Sequence, residues 1–90
     1  MLLLQDGKPD EAADFLKAVV RTEPQKAEPV LRKAAELGAR IAPIHYHLGM
    51  TYYRLGRKED AGVSLRRALQ LNGKLPEAQE ARIILKELGV

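Results

Sequence analysis

The 90-residue sequence predicts an all-α fold in which five helices form antiparallel hairpins. Apolar residues recur every three to four positions in five segments, which is the period of a helix that buries one face. Gly and Pro mark the boundaries of these segments, and no stretch alternates between apolar and polar residues as a half-buried strand does. Leu and Ala dominate the composition and aromatic residues are few, a mixture that suits amphipathic helices better than sheets.

The first two predicted helices span residues 9–20 and 27–37. Pro9 suits a first helical position, where the missing N–H costs nothing. Residues 22–24 end the first helix, and Pro29 is compatible with the second only in its first turn. Gly38 ends the second helix. The residues predicted to face inward are Ala12, Leu16, Val19 and Val20 in the first helix and Val30, Leu31, Ala34 and Ala35 in the second.

The last three predicted helices span residues 43–55, 58–71 and 76–88. Each ends before a glycine or an Asn-Gly pair, and acidic residues occupy the first turn of the fourth helix, where the helix dipole favours them. The predicted inward faces are Ile44, Leu48, Tyr52 and Leu55, then Ala61, Leu65, Ala68 and Leu69, then Ala78, Ala81, Leu85 and Leu88. Ser64 is expected to face outward from the middle of the fourth helix, and Gly49 is expected to face Ala61 where the third and fourth helices cross.

The composition limits the classes of function. Cysteine is absent, so disulfides, thiol nucleophiles and cysteine-ligated zinc are excluded, although the compartment is not fixed. The apolar start of residues 1–4 is too short for a signal peptide or a membrane span. A net charge of +3 is a weak basic bias compared with nucleic-acid-binding domains.

A short pattern occurs twice. Residues 7–12 (GKPDEA) resemble residues 56–61 (GRKEDA), and Leu16 corresponds to Leu65. The separation of the two copies exceeds one repeat of about 34 residues by about one helix. We therefore expect the first two helices to form an irregular hairpin stacked on a regular one. The alternative is that the first helix lies elsewhere.

Residues 44–68 (IHYHLGMTYYRLGRKEDAGVSLRRA) carry the most specific pattern. The spacing of Leu48, Gly49, Tyr52, Gly56, Ala61, Leu65 and Ala68 resembles that of a tetratricopeptide repeat. His45 stands where this family often has Trp, and Gly73 where it often has Pro. The resemblance implies a right-handed superhelical stack in one domain, with an irregular helix pair at 1–41, a regular repeat at 42–75 and a closing helix at 76–90. It also implies the C-terminal part of a larger bacterial repeat protein.

The resemblance implies a protein-protein interaction scaffold that binds a peptide or protein in a concave groove, formed mainly by the third and fifth helices. The groove positions it implies are Tyr46, His47, Met50, Tyr53, Arg54, Glu77, Glu80 and Ile84. Tyr and Met offer apolar contact, and Arg can bind a carboxylate. The competing interpretation is that these are ordinary exposed residues. The Lys and Asn residues with which chaperone-binding members hold a terminal carboxylate are absent.

Other functions have weaker support. His45 and His47 are two residues apart, which points them to different sides of a helix and disfavours a shared metal. His45 is expected to be buried, with His47 near solvent or the groove. No Ser, Thr or carboxylate set predicts an enzyme, and no cofactor is expected. The basic residues divide between faces, which disfavours nucleic acid. Self-association through residues 1–4 is the alternative function.

Overall fold

The computed structural model describes residues 18–89, and this range contains five helical segments and no strand. The described residues begin in helical conformation at 18–22, the segment called α1 here. The following helices are α2 (Pro24–Leu37), α3 (Ala42–Arg54), α4 (Lys58–Leu71) and α5 (Ala78–Leu88). The predicted all-α stack is confirmed. The expectations for residues 1–17, including the start of the first helix and the 7–12 pattern, lie outside the described residues.

The helix α3 packs most extensively against α4, less against α2, and α4 in turn contacts α5. Close approach of α3 and α4 depends on Gly49, because a Cβ there would lie 2.7 Å from Leu65 Cγ and 3.1 Å from the Leu65 backbone nitrogen. We expected Gly49 to face Ala61. That prediction is wrong, since the closest contact lies one turn further along α4.

The core combines small and branched side chains from α1 to α5. Its fully covered centre includes Ala61, Leu65 and Ala68 of α4 and Ala81 of α5. Ser64 is also buried, contrary to the expectation that it faces outward. The spacing explains the error, because residue 64 belongs to the same i, i+3, i+4, i+7 stripe as its three apolar neighbours in α4.

Three helix boundaries differ from prediction by more than one residue, and the first of them is the end of α1, which lies at residue 22 instead of residue 20. The helix α2 begins at Pro24, three residues before the predicted start, so Pro29 lies inside it instead of in its first turn. Pro24 takes the first helical position, and the carbonyl of Glu23 accepts from Lys26 and Ala27 N–H. The helix α5 begins at Ala78, two residues late, because Ala78 N–H closes a turn onto the carbonyl of Leu75.

Two apolar residues predicted to face inward are exposed. Val30 lies on the outer side of α2 and is 66% exposed. Leu37, seven residues further along the same helix, is 81% exposed. Leu55 follows the last residue of α3, where Gly56 with φ 80° turns the chain toward α4, and this turn leaves Leu55 at the surface. At both positions the buried face of the helix is narrower than the set of apolar residues in the sequence predicted.

A polar network joins the first three complete helices. Tyr52 of α3 donates its hydroxyl to Glu28 of α2 at 3.2 Å, and Glu28 also pairs with Arg32 at 3.3 Å. The Tyr52 ring lies 4.6 Å from the Arg57 guanidinium, which pairs with Asp60 in the first turn of α4. Burial, and next the hydrogen bond to Glu28, raise the pKa of Tyr52.

Candidate functional site

A cleft of about 240 Å³ opens between the end of α1, one face of α3 and the start of α5. The helix α3 supplies most of its wall, because residues 46, 50 and 54 are spaced one turn apart and share a helix face. The residues that line the cleft are Val20, Arg21, Tyr46, His47, Met50, Arg54 and Glu80.

The buried lining residues of the cleft are Val20, Tyr46, His47 and Met50, whereas its exposed lining residues are all charged. Val20 and Met50 are both buried in the core cluster and supply the apolar part. Arg21 and Arg54 are exposed, and neither forms an ion pair with any residue in the range 18–89. The cleft therefore combines an apolar floor with two cationic side chains that can reach a ligand.

Glu80 lies at the cleft edge supplied by α5, where the Tyr46 hydroxyl donates to its Oε1 at 3.1 Å. Tyr46 itself is almost fully buried. This burial, and next the negative charge of Glu80, raise the pKa of Tyr46 far above its usual value near 10. Tyr46 is therefore a neutral hydrogen-bond donor at every physiological pH, and it fixes the position of the Glu80 carboxylate.

A second hydrogen bond of the same kind lies two helical turns further along α3. The Tyr53 hydroxyl donates to Glu87 Oε1 at 3.2 Å. In both pairs the partners are 34 residues apart, which is the length of one tetratricopeptide period. Met50 and Ile84 have the same separation. These two hydrogen bonds hold α5 beside α3.

The structure brings five of the eight predicted groove residues to the cleft: Tyr46, His47, Met50, Arg54 and Glu80. The other three lie outside its lining. Tyr53 is held by Glu87, Ile84 is buried in the core, and Glu77 is near enough to Tyr46 to help raise its pKa.

Two cleft residues, Val20 and Arg21, were missed. We expected the wall opposite α3 to come mainly from the fifth helix, whereas α1 supplies these two side chains and α5 supplies Glu80. The apolar stripe of the first helix already pointed to burial of Val20. No sequence signal indicates Arg21, because its position depends on how the end of α1 meets α3.

His45 is less buried than expected, whereas His47 lines the cleft, one of the two places expected for it, but is itself buried. His47 is 4% exposed, with its ring edge-on to Tyr46 at a centroid distance of 5.3 Å. His45 is only partly buried, and its Nε2–H donates to the carbonyl of Ala39 at 2.8 Å. The prediction failed because His45 binds the loop before α3 instead of entering the contact between α3 and α4.

Neither a metal centre nor a membrane span is found in the part of the chain that the structure describes. Within residues 18–89, no three His, Asp or Glu side chains come together as a metal site would require. No helix in the same range has the length and apolarity needed to cross a bilayer.

Comparison with known families gives one match. A family profile described as tetratricopeptide repeat matches residues 42–75, which cover α3, α4 and the turn that follows. Residues 42–75 are a tetratricopeptide repeat. Such repeats are generally protein-protein interaction modules and typically non-catalytic scaffolds. No match was found among curated proteins or among solved structures.

Proposed function

We propose that this protein is an interaction scaffold that binds a short segment of a partner protein in the cleft between α1, α3 and α5. The observation that carries the proposal is the cleft itself, with an apolar floor of Val20 and Met50 beneath two exposed arginines. It lies on the first helix of the tetratricopeptide repeat, and interaction is the general role of such repeats.

The size of the cleft favours a peptide side chain over a small metabolite. Its volume of about 240 Å³ lies below the range of roughly 300–1,000 Å³ typical of small-molecule sites. One or two apolar side chains of an extended or helical peptide would fill it, with the remainder of the peptide along α3. Burial of Met50 against such a side chain suits the adaptable contacts that methionine makes.

Because the sequence contains no cysteine, a single introduced cysteine can be labelled selectively to block the cleft. Peptides that bind the protein are selected from a displayed random library. Their affinity is then measured with Arg21→Cys before and after labelling with a bulky neutral maleimide. Because labelling leaves the charge unchanged, a loss of binding on labelling reports occlusion of the cleft.

The matched control is Arg66→Cys on α4, where the side chain is exposed and remote from the cleft lining. The proposal expects labelling to weaken binding only at position 21. Equal binding before and after labelling at position 21, or loss only at position 66, would refute it.

A second candidate function, self-association, is favoured by one observation. Val30, Leu37 and Ile41 form an exposed apolar strip along α2 and the loop after it, with exposures of 66%, 81% and 50%. Light scattering coupled to size exclusion tests this candidate. A dimer that Leu37→Lys converts to monomer would support it, and a monomer at all concentrations would exclude it. The predicted involvement of residues 1–4 lies outside the described residues.

A further inference from the structure

We propose that the turn between α2 and α3 attaches this protein to an anionic lipid bilayer, with Leu37 and Ile41 entering the boundary between the headgroups and the acyl chains. This activity goes beyond peptide binding, and no residue of the turn belongs to the lining of the cleft. Two large aliphatic side chains are exposed at the turn, contacts within the protein hold the turn in place, and cations border it.

The turn presents the most exposed aliphatic residues of the apolar strip at one end of a helix pair. Leu37 is the last residue of α2 and is 81% exposed, more than any other large apolar residue that the structure describes. Ile41, which directly precedes α3, is 50% exposed. A protein partner would need a pocket shaped to receive these side chains, whereas the interface of a bilayer receives projecting apolar side chains without one.

Contacts with the start of α3 hold the turn in place. The Ile41 N–H donates to the carbonyl of Gly38 at 3.0 Å, and the His45 ring donates to the carbonyl of Ala39 at 2.8 Å. The Ile41 side chain lies over Gly38, where a Cβ would be 2.7 Å from Ile41 Cδ1. Because the turn is already ordered in the free protein, little conformational entropy is lost when it enters a bilayer.

The charge around the turn is positive, since residues 29–45 contain three cations and one carboxylate. Arg40 lies between Leu37 and Ile41, is exposed, and forms no ion pair within residues 18–89. Lys33 lies one turn before Leu37, and its 4.0 Å contact with Glu36 joins two exposed side chains that water screens. Long basic side chains beside an inserted apolar residue can reach lipid phosphates, so this pattern favours a bilayer that contains anionic lipid.

The same charges separate the bilayer from a second copy of the chain as the occupant of the apolar strip. In a symmetric dimer that buries Leu37, the two-fold axis would bring Lys33 and Arg40 near the same residues of the other copy. Like charges at this contact would repel each other, whereas the negative surface potential of an anionic bilayer attracts them.

The test measures co-sedimentation of the protein with vesicles of phosphatidylcholine mixed with phosphatidylserine, and with vesicles of phosphatidylcholine alone. Wild type should bind the mixed vesicles more strongly. Leu37→Gln and Ile41→Gln should each weaken this binding about tenfold, because each removes apolar area from the inserted turn. Arg40→Gln should weaken it about fivefold, which is the contribution of one cation near an anionic surface. Circular dichroism confirms that these surface variants remain folded.

The matched controls are Val63→Gln and Arg67→Gln, which remove an exposed aliphatic residue and an exposed cation from α4. Both should bind the mixed vesicles nearly as wild type does. A loss with Val63→Gln equal to that with Leu37→Gln, or with Arg67→Gln equal to that with Arg40→Gln, would reduce the effect to general hydrophobicity or net charge and overturn the proposal.

A direct readout of insertion uses Leu37→Cys labelled with the environment-sensitive fluorophore nitrobenzoxadiazole, with labelled Val63→Cys as its control. Mixed vesicles should shift the emission to the blue and raise its intensity at position 37 but not at position 63. The proposal is overturned by an unchanged emission at position 37 or by equal binding to the two kinds of vesicle. A wild-type dimer that Leu37→Gln dissociates, without any binding to vesicles, would assign the apolar strip to a second copy instead.

Discussion

At the scale of single residues, Gly49 has the clearest structural role. Leu65 is completely buried, and its Cγ and backbone nitrogen both lie within about 3 Å of where a Cβ of residue 49 would be. A branched carbon and a backbone atom cannot move aside as the end of a flexible side chain can. The absence of a side chain at this position therefore sets the distance between α3 and α4.

Replacing Gly49 by Ala should destabilise the protein by about 1–3 kcal/mol through overpacking, even though Ala favours helix formation over Gly by about 1 kcal/mol. The measurement is the free energy of unfolding from urea titration. Gly73→Ala is the matched control, because a Cβ there would meet its nearest neighbour at an ordinary 3.6 Å. An unchanged or higher stability of Gly49→Ala would contradict the close contact.

Tyr46 should make stability depend on alkaline pH. Its pKa is raised in the folded state by burial and by Glu80, whereas the unfolded chain has a value near 10. The folded state therefore holds this proton more tightly than the unfolded state does. The contribution of Tyr46 is fully present below pH 10 and is lost as pH rises through the unfolded and toward the folded value.

The measurement is urea denaturation of wild type and Tyr46→Phe between pH 8 and about pH 11. Wild type should lose more stability over this range than the variant, which has no hydroxyl to ionise. If the free energy of unfolding fell equally with pH in the two proteins, the hydroxyl of Tyr46 would not be buried and bonded to Glu80 in the folded state.

Residue environments were the least predictable feature of the sequence. The partial exposure of His45 and the burial of His47 and Ser64 depend on helix phase and on which loop atoms lie nearby, such as the Ala39 carbonyl. A shift of one residue rotates a side chain by about 100°. Apolar periodicity sets the phase of a helix only approximately where the stripe contains small residues, as in α4.

At the scale of helices, the network around Tyr52 links α2 and α4 to α3. It joins Glu28, Tyr52 and Arg57 through one hydrogen bond and one cation–π contact. Glu28 is well covered, with a side-chain exposure of 12%. The hydrogen bond is thus partly shielded from water, and it is expected to contribute more than a comparable bond at the surface.

Tyr52→Phe should lower the free energy of unfolding by about 1 kcal/mol, since it removes the hydrogen bond but keeps the ring beside Arg57. Adding Glu28→Ala should cost less in the Tyr52→Phe background than in wild type, because the two changes remove the same bond. The control is Tyr53→Phe, which loses an exposed bond to Glu87 and should change stability less. Additive effects of the Tyr52 and Glu28 substitutions would show that the bond contributes nothing.

Helix order and type were predictable from the sequence because Gly and Pro mark the connections clearly. The errors at Pro24 and Ala78 arose where a proline is compatible with either a first helical turn or the preceding loop. The bonds from Tyr46 to Glu80 and from Tyr53 to Glu87 place α5 one repeat period after α3. The division into an irregular pair, a regular repeat and a closing helix remains a prediction.

At the scale of the whole molecule, the sequence predicted most of the α3 side of the cleft but not the α1 side. Residues 46, 47, 50 and 54 share a face at helical spacing, so their proximity follows from α3 alone. Arg21 reaches the cleft only because α1 lies near α3. That position depends on the angle between α1 and α2, which are separated by Glu23. Neighbours within one helix are predictable, whereas neighbours from different helices require the tertiary structure.

The most direct test of the central claim, that the cleft binds a partner segment, is an NMR titration of the isotope-labelled protein with a peptide selected from the displayed library. Amide chemical shifts at residues 20–21, 46–54 and 80 should change together and saturate as the peptide concentration rises. The shifts of Val63, Arg66 and Arg67, on the exposed face of α4, should stay unchanged. Shifts confined to α4, or to the apolar strip of Val30, Leu37 and Ile41 on α2 and the loop after it, would contradict the account and place binding on another surface.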